Sequence, residues 1–177
     1  MSAVDAAAAR GPAPGRYLTF HLGLSRYAVP IRDVREVVRL PPITVVPQMP
    51  AHVRGVMNLR GAVIAVLDLR AKFQMAEIEY ADRACVIVFD ASRSEGAAAC
   101  VGAIVDGVDD VLPLSAAQLA AAPDFAGAVQ ADYLLGVATT LEGVWVVLNM
   151  PNILATEGSL ALPALSMTAA ASGFEPV

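Results

Sequence analysis

Leu18, Phe20 and Leu22 alternate with Tyr17, Thr19 and His21, the period of a half-buried strand. Residues 23–26 turn the chain into Tyr27, Ala28 and Val29, which predicts a hairpin. Ile31 and Val34, three apart, predict a single helical turn before Glu36, Val37 and Val38 extend again, with Glu36 between Val34 and Val38 on one strand face. Pro41 and Pro42 end that strand because proline has no N–H for the ladder, and residues 43–46 predict another short strand closed by Pro47 and Pro50. Residues 85–89 form a continuous apolar strand, 92–96 a polar turn and 101–105 a returning strand, and Gly107 breaks the pattern before Val108. Ser115 and Gln118 make a capping box that predicts a short Ala-rich helix to about Ala122, stopped by Pro123. Short strands in such close succession predict barrels or a sandwich.

The pattern also repeats. Gly55-Val56 precedes the apolar run Val63 to Leu67 and then Asp68, while Gly136-Val137 precedes Val144 to Leu148 and then Asn149. Both parts share one offset, 81 residues, from 55 to 136 and from 68 to 149. Each copy reads as a strand, a turn containing Gly61 or Gly143, a second strand, and a residue whose side-chain oxygen can cap a short helix. Leu69 and Phe73, like Met150 and Leu154, stand four apart and predict the packed face of that helix. Two similar small barrels are the expectation.

Composition sharpens this picture at a few points. Apolar residues are 56% of the chain and charged residues 16%, which is ample for a core, and the mean hydropathy of +0.58 raises the question of a membrane span. The richest stretch, Ala97 to Leu114, is interrupted by Gly102, Asp106, Gly107, Asp109, Asp110 and Pro113, so no span is predicted. Residues 1–15 and 159–177, rich in Ala, Pro and Ser, read as disordered tails. Residues 16–158 then form one folded region, divided at about 16–80 and 81–158, with exchange of strands between the halves left open. Residues 1–15 lack the continuous apolar stretch of a secretory signal, which makes the cytoplasm the expected compartment. Cys85 and Cys100 then read as free thiols.

A net charge of −5 without a basic stripe argues against a nucleic-acid partner and for proteins. His21 and His52 lie far apart, and the chain has no CxxC or HExxH, so no metal site is predicted. No phosphate-binding Gly-rich loop precedes a long helix. The paired carboxylates Asp109-Asp110 and Glu77/Glu79 read as solvated turn residues, and no catalytic group or cofactor is expected. Arg60, at the tip of Asn58-Leu59-Arg60-Gly61, reads either as a solvated turn charge or as the partner of a carboxylate, with Glu36 a candidate.

The strings Val34-Arg35-Glu36-Val37, Gly55-Val56-Met57-Asn58-Leu59-Arg60-Gly61, Val66-Leu67-Asp68-Leu69-Arg70, Ile104-Val105-Asp106-Gly107-Val108 and Tyr133-Leu134-Leu135-Gly136, in this order, resemble the CheW family. The resemblance runs from about Arg16 to Leu160. It implies a mostly-β fold of two small five-stranded, SH3-like barrels about a shared core with short helices. It also implies a non-catalytic adaptor of bacterial chemotaxis that couples the cytoplasmic tips of transmembrane chemoreceptors to the regulatory domain of the histidine kinase CheA. Such adaptors alternate with the kinase in rings, and are recruited to membrane-bound arrays without entering the membrane. Matching the motifs assigns receptor binding to Ile31, Val34, Glu36, Val37, Gly55, Arg60, Val108 and Val111. The slot would be lined by Ile31, Val34, Val37 and Val108 and rimmed by Glu36 and Arg60. Ordinary core packing is the competing reading of each apolar member. Kinase-side residues are not assigned: the segment 92–99 is longer than the family's usual hairpin, and Ala65 stands where proline is common. An adaptor of a non-flagellar pathway, serving pili or development, would read the same way. A small-molecule-binding or enzymatic barrel is the alternative from another class.

Overall fold

The computed structural model describes residues 11–90, 100–122 and 131–155. Among the described residues, eleven strands and two short helices follow one another as β1 (Gly15–Leu22), β2 (Ser25–Pro30), a 3-10 turn (Ile31–Asp33), β3 (Val34–Arg39), β4 (Val53–Leu59), β5 (Ala62–Asp68), α1 (Leu69–Lys72), β6 (Cys85–Asp90), β7 (Cys100–Val105), β8 (Gly107–Leu114), β9 (Leu119–Ala121), a second 3-10 turn (Ala131–Tyr133), β10 (Leu134–Thr140), β11 (Gly143–Leu148) and α2 (Met150–Ala155). They form two sheets, in the orders β8-β1-β2-β11-β10-β9 and β3-β6-β7-β5-β4. The mostly-β, two-unit architecture read from the sequence is the one observed.

The 81-residue repeat is written into the backbone. Val53 pairs with Leu67 and Gly55 with Val66, with a bulge between Val53 and Gly55; Leu134 pairs with Leu148 and Gly136 with Val147, with the bulge in the same place. The correspondence extends further than the sequence pattern. β11 runs parallel to β2 with Val146 opposite Tyr27, and β5 runs parallel to β7 with Ala65 opposite Val101. Thus β2 and β7 are equivalent, and so are their antiparallel neighbours β1 and β6, where Phe20 faces Tyr27 and Phe89 faces Val101. The terminal strands β8 and β3 complete the match, with Val108 opposite Phe20 and Val34 opposite Phe89.

A division near residue 80 therefore does not separate the sheets. The hairpin β1-β2 inserts beside strands from the second half, and β6-β7 inserts beside strands from the first, so the two halves exchange their leading hairpins. Residues 11–15, read as part of a tail, are placed: Gly15 opens β1 opposite Leu114, and the Pro12 ring lies over Gly136. The other tail residues, and the 92–96 turn, lie outside the described residues.

Burial explains why strands such as 85–89 read as unbroken apolar runs, and why Tyr17 and Thr19, on the expected polar face of β1, are also buried. Leu18, Phe20, Leu22 and Val29 from one sheet and Ile87, Phe89, Ala103 and Val105 from the other meet in a shared core, joined by Leu69, Met150 and Ile153 of the helices. Each sheet also buries its other face, around Tyr17, Trp145 and Val147 in the first and Met57, Val66, Val86 and Ile104 in the second. Strands covered on both faces have little use for polar positions.

Two elements differ from expectation. Residues 119–121 form strand β9, not a helix, because Ala121, Ala120 and Leu119 pair with Gly136, Val137 and Ala138. The capping contact is made, with Ser115 N donating to Gln118 Oε1 at 2.9 Å, but it closes a turn. The strand expected at 43–46 shrinks to a single bridge between Thr44 and Val56. Thr44 N and Val56 N each donate to the other's carbonyl at 2.9 Å; the flanking Pro41, Pro42 and Pro47 have no N–H to extend the ladder. This bridge occupies the place on β4 that β9 occupies on β10.

Candidate functional site

β3 and β8 each end one of the two sheets, with an outer edge that pairs with no other strand among the described residues. In β3 the ladder skips Arg35, so Val34 faces Phe89 and Val37 faces Ile87, both of the shared core, while Glu36 faces Val88 and Val38 faces Val86 on the opposite side. The bulge corrects the expected alternation: Val34 shares a face with Val37, not with Glu36 and Val38. In β8 the ladder skips Asp109, so Val108 faces Phe20 and Val111 faces Leu18. Ile31, Val34, Val108 and Val111 all pack, half-buried, against the shared core, and Val37 is 39% exposed. The structure thus brings five of the eight sequence-assigned residues to one core and its rim.

The other three have different places. Arg60 and Gly61 carry φ of 52° and 88°, the pair of positive values that closes a two-residue hairpin, and Asn58 Oδ1 accepts from Gly61 N at 2.8 Å. Arg60 Nη2 stands 3.4 Å from Glu36 Oε1, with the arginine 80% and the glutamate 21% exposed. Of the two readings of Arg60, the structure shows the carboxylate partner. Gly55 is buried at φ 143°, and a Cβ on it would run into the Thr44 carbonyl. Its role is to let the outer bridge approach β4, and it offers no side chain to a partner.

Sequence reasoning missed two ion-pair networks. Asp68 caps α1, Oδ1 accepting from Arg70 N at 2.9 Å. Its Oδ2 accepts from Arg54 Nη2 at 2.8 Å and from the Tyr80 hydroxyl. Burial, then the Asp68 hydrogen bond, pushes the Tyr80 hydroxyl up to about 12. Arg70 Nε donates to Asp106 Oδ1 at 2.9 Å and Nη2 to Oδ2 at 2.6 Å, both side chains being largely buried. Gly23 N adds a third donor to Oδ2 at 2.6 Å. Burial alone would raise the Asp106 pKa; these donors outweigh it and hold the group below the ordinary carboxylate value. The only signal in the sequence was the presence of Asp68, Arg70 and Asp106 inside family-like strings.

Among the described residues no group of three or more His, Cys, Asp or Glu side chains could hold a metal ion. Cys85 and Cys100 are free and stand at opposite ends of one ladder, facing Val105 and Asp90. No described helix is long and apolar enough to cross a membrane. The arrangement places half-buried apolar side chains of two terminal strands, Val34 of β3 with Val108 and Val111 of β8, against one shared core.

The family model of the CheW-like domain matches residues 16–158. The chain belongs to the CheW family. It is 33% identical to the chemotaxis protein CheW of Klebsiella aerogenes over 141 residues, 80% of this chain and 82% of that protein, and 34% identical to the chemotaxis protein CheW of Rhizobium meliloti over 68% and 74% of the two chains. Among solved structures, the scaffolding protein TtCheW of Thermoanaerobacter tengcongensis matches with a TM-score of 0.68 and 27% identity, over 77% of this chain and 89% of that one. Within this CheW-family chain the family-like strings divide by task. Asp68, Arg70 and Asp106 make ion pairs and Gly55 admits the outer bridge, whereas Val34, Val108 and Val111 pack half-buried against the shared core.

Proposed function

We propose that this chain is a non-catalytic chemotaxis adaptor that joins chemoreceptor tips to the histidine kinase CheA. The observation that carries the reading is the set of valines on two sheet-ending strands, packed half-buried on one shared core, in a chain of the CheW family. A receptor tip, a helical hairpin, docks there with apolar side chains inward and charges at the rim. Ile31, Val34, Val37, Val108 and Val111 make the apolar floor, and Glu36 with Arg60 lies on the neighbouring face of β3. The regulatory domain of the kinase binds elsewhere on the sheets. The adaptor works in the cytoplasm at membrane-bound arrays, where linked sites raise the avidity of a weak single contact.

The test is calorimetric titration of the full chain with a soluble hairpin fragment of a chemoreceptor encoded by the same genome, and separately with the kinase regulatory domain. Val37→Glu places a charge among these side chains at an exposed position; Val34→Glu does so where the side chain also packs the core. Both variants should lose receptor binding, and Val37→Glu should keep its melting temperature and its kinase affinity. Loss of kinase affinity with receptor affinity retained would reverse the assignment of faces.

A further inference from the structure

Val108 and Val111 stand three apart in the sequence, and in a regular strand residues at an odd separation point to opposite faces of the sheet. Both nonetheless pack against the shared core, because the β1–β8 ladder skips Asp109 between them. The common face of the two valines is therefore a property of the bulge, and whatever holds the bulge places the pair.

The bulge is held from the other side of the sheet. Leu18 and Phe20 of β1 point into the core, which leaves Thr19 and His21 on the outer face. Thr19 is 2% exposed. Its Oγ1 donates to the Asp110 carbonyl and accepts from Asp110 N, each at 3.0 Å, so one hydroxyl binds both main-chain groups of the residue after the skip. His21 Nδ1 stands 2.9 Å from Oδ1 of the skipped Asp109. The His21 ring lies against Gly107, where a Cβ would come within 2.6 Å of Cε1. The equivalent bulge of β3 is built differently: Val88 faces Glu36 there as Thr19 faces Asp110 here, and a valine has no hydroxyl to offer the main chain.

We infer that Thr19 and His21 are positioning residues for receptor binding. From the outer face they fix the Asp109 bulge, and through it the shared face of Val108 and Val111, without touching the ligand. This role rests on the receptor reading above and says what sets one strand of that site. Losing the skip turns one valine of the pair from the core face to the outer one.

Thr19→Val keeps the shape of the side chain and removes the hydroxyl, Thr19→Ser keeps the hydroxyl, and His21→Ala alters a partly exposed position. Each full chain is titrated with the chemoreceptor hairpin fragment and, separately, with the kinase regulatory domain; its Asp110 amide is followed by hydrogen exchange. Thr19→Val should weaken receptor binding about tenfold and speed Asp110 exchange about as much, with kinase affinity unchanged. Thr19→Ser should stay within about twofold of the wild-type chain in all three measurements, and His21→Ala should weaken receptor binding about threefold. Receptor affinity kept in Thr19→Val, lost equally in Thr19→Ser, or lost together with kinase affinity would overturn the positioning role. Should Thr19→Val not fold, His21→Ala decides, and unchanged receptor affinity in it would overturn the role. A wild-type chain that protects the Asp110 amide yet binds no receptor fragment would instead overturn the receptor reading, and the positioning role with it.

Discussion

Gly55 and Gly136 hold equivalent bulges, and a Cβ on either would collide with a backbone carbonyl, of Thr44 or of Ala120. Alanine at Gly55 also meets an unfavourable φ, so Gly55→Ala is expected to cost about 3 kcal/mol in urea unfolding, against about 1 kcal/mol for Gly61→Ala, whose Cβ would meet open space. Receptor binding lost in Gly55→Ala would then track unfolding rather than a missing contact. The Asp106 carboxyl titrates below its unfolded value, so its contribution is complete above the ordinary carboxylate range and disappears as pH falls through its folded pKa. Stability of the wild-type chain should therefore drop below about pH 4, and Asp106→Asn should flatten that slope while weakening the protein at neutral pH. Tyr80 behaves in the opposite sense: its neutral form is favoured, so stability is full below about pH 10 and lost as pH rises toward about 12. Tyr80→Phe should remove that alkaline loss in a pH-dependent melt.

At the scale of elements, legibility followed the apolar period. β1 was plain from its alternation, and β6, β7 and both copies of the repeat from the unbroken apolar runs that strands buried on two faces leave. The bulges at Arg35 and Asp109 were not plain, since a ladder that skips one residue leaves no trace in composition, and with them went the face of Glu36. β9 was misread because alanine and a capping box favour a helix locally, while pairing to β10 decides. The candidate site was reached by family resemblance, not period: five of its residues lie at one core or its rim, yet no pattern in the chain announces that β3 and β8 both end their sheets among the described residues. The two helix caps offer a matched test. Asn149 Oδ1 caps α2 through Asn152 N at 3.2 Å, so Asn149→Ala should cost about 1 kcal/mol in chemical denaturation. Asp68 holds the same place on α1 but also anchors Arg54 and Tyr80, so Asp68→Ala should cost about 3–5 kcal/mol.

Over the whole molecule the exchanged hairpins make the halves interdependent. A chain cut in the 76–82 connection, between α1 and β6, should give two halves that are each unfolded alone by circular dichroism and that regain the β spectrum when mixed; a folded single half would show that exchange is dispensable. The same exchange fixes an order of events during synthesis. Leu18 finds its outer partner, Val111, only after roughly ninety more residues have been joined, which at ordinary elongation rates is on the order of ten seconds. For that interval the first hairpin leaves the ribosome with Phe20 and Leu22 uncovered. A message truncated after β5 would deliver adhesive strands with no acceptor, so this adaptor is exposed to quality control for about half of its translation.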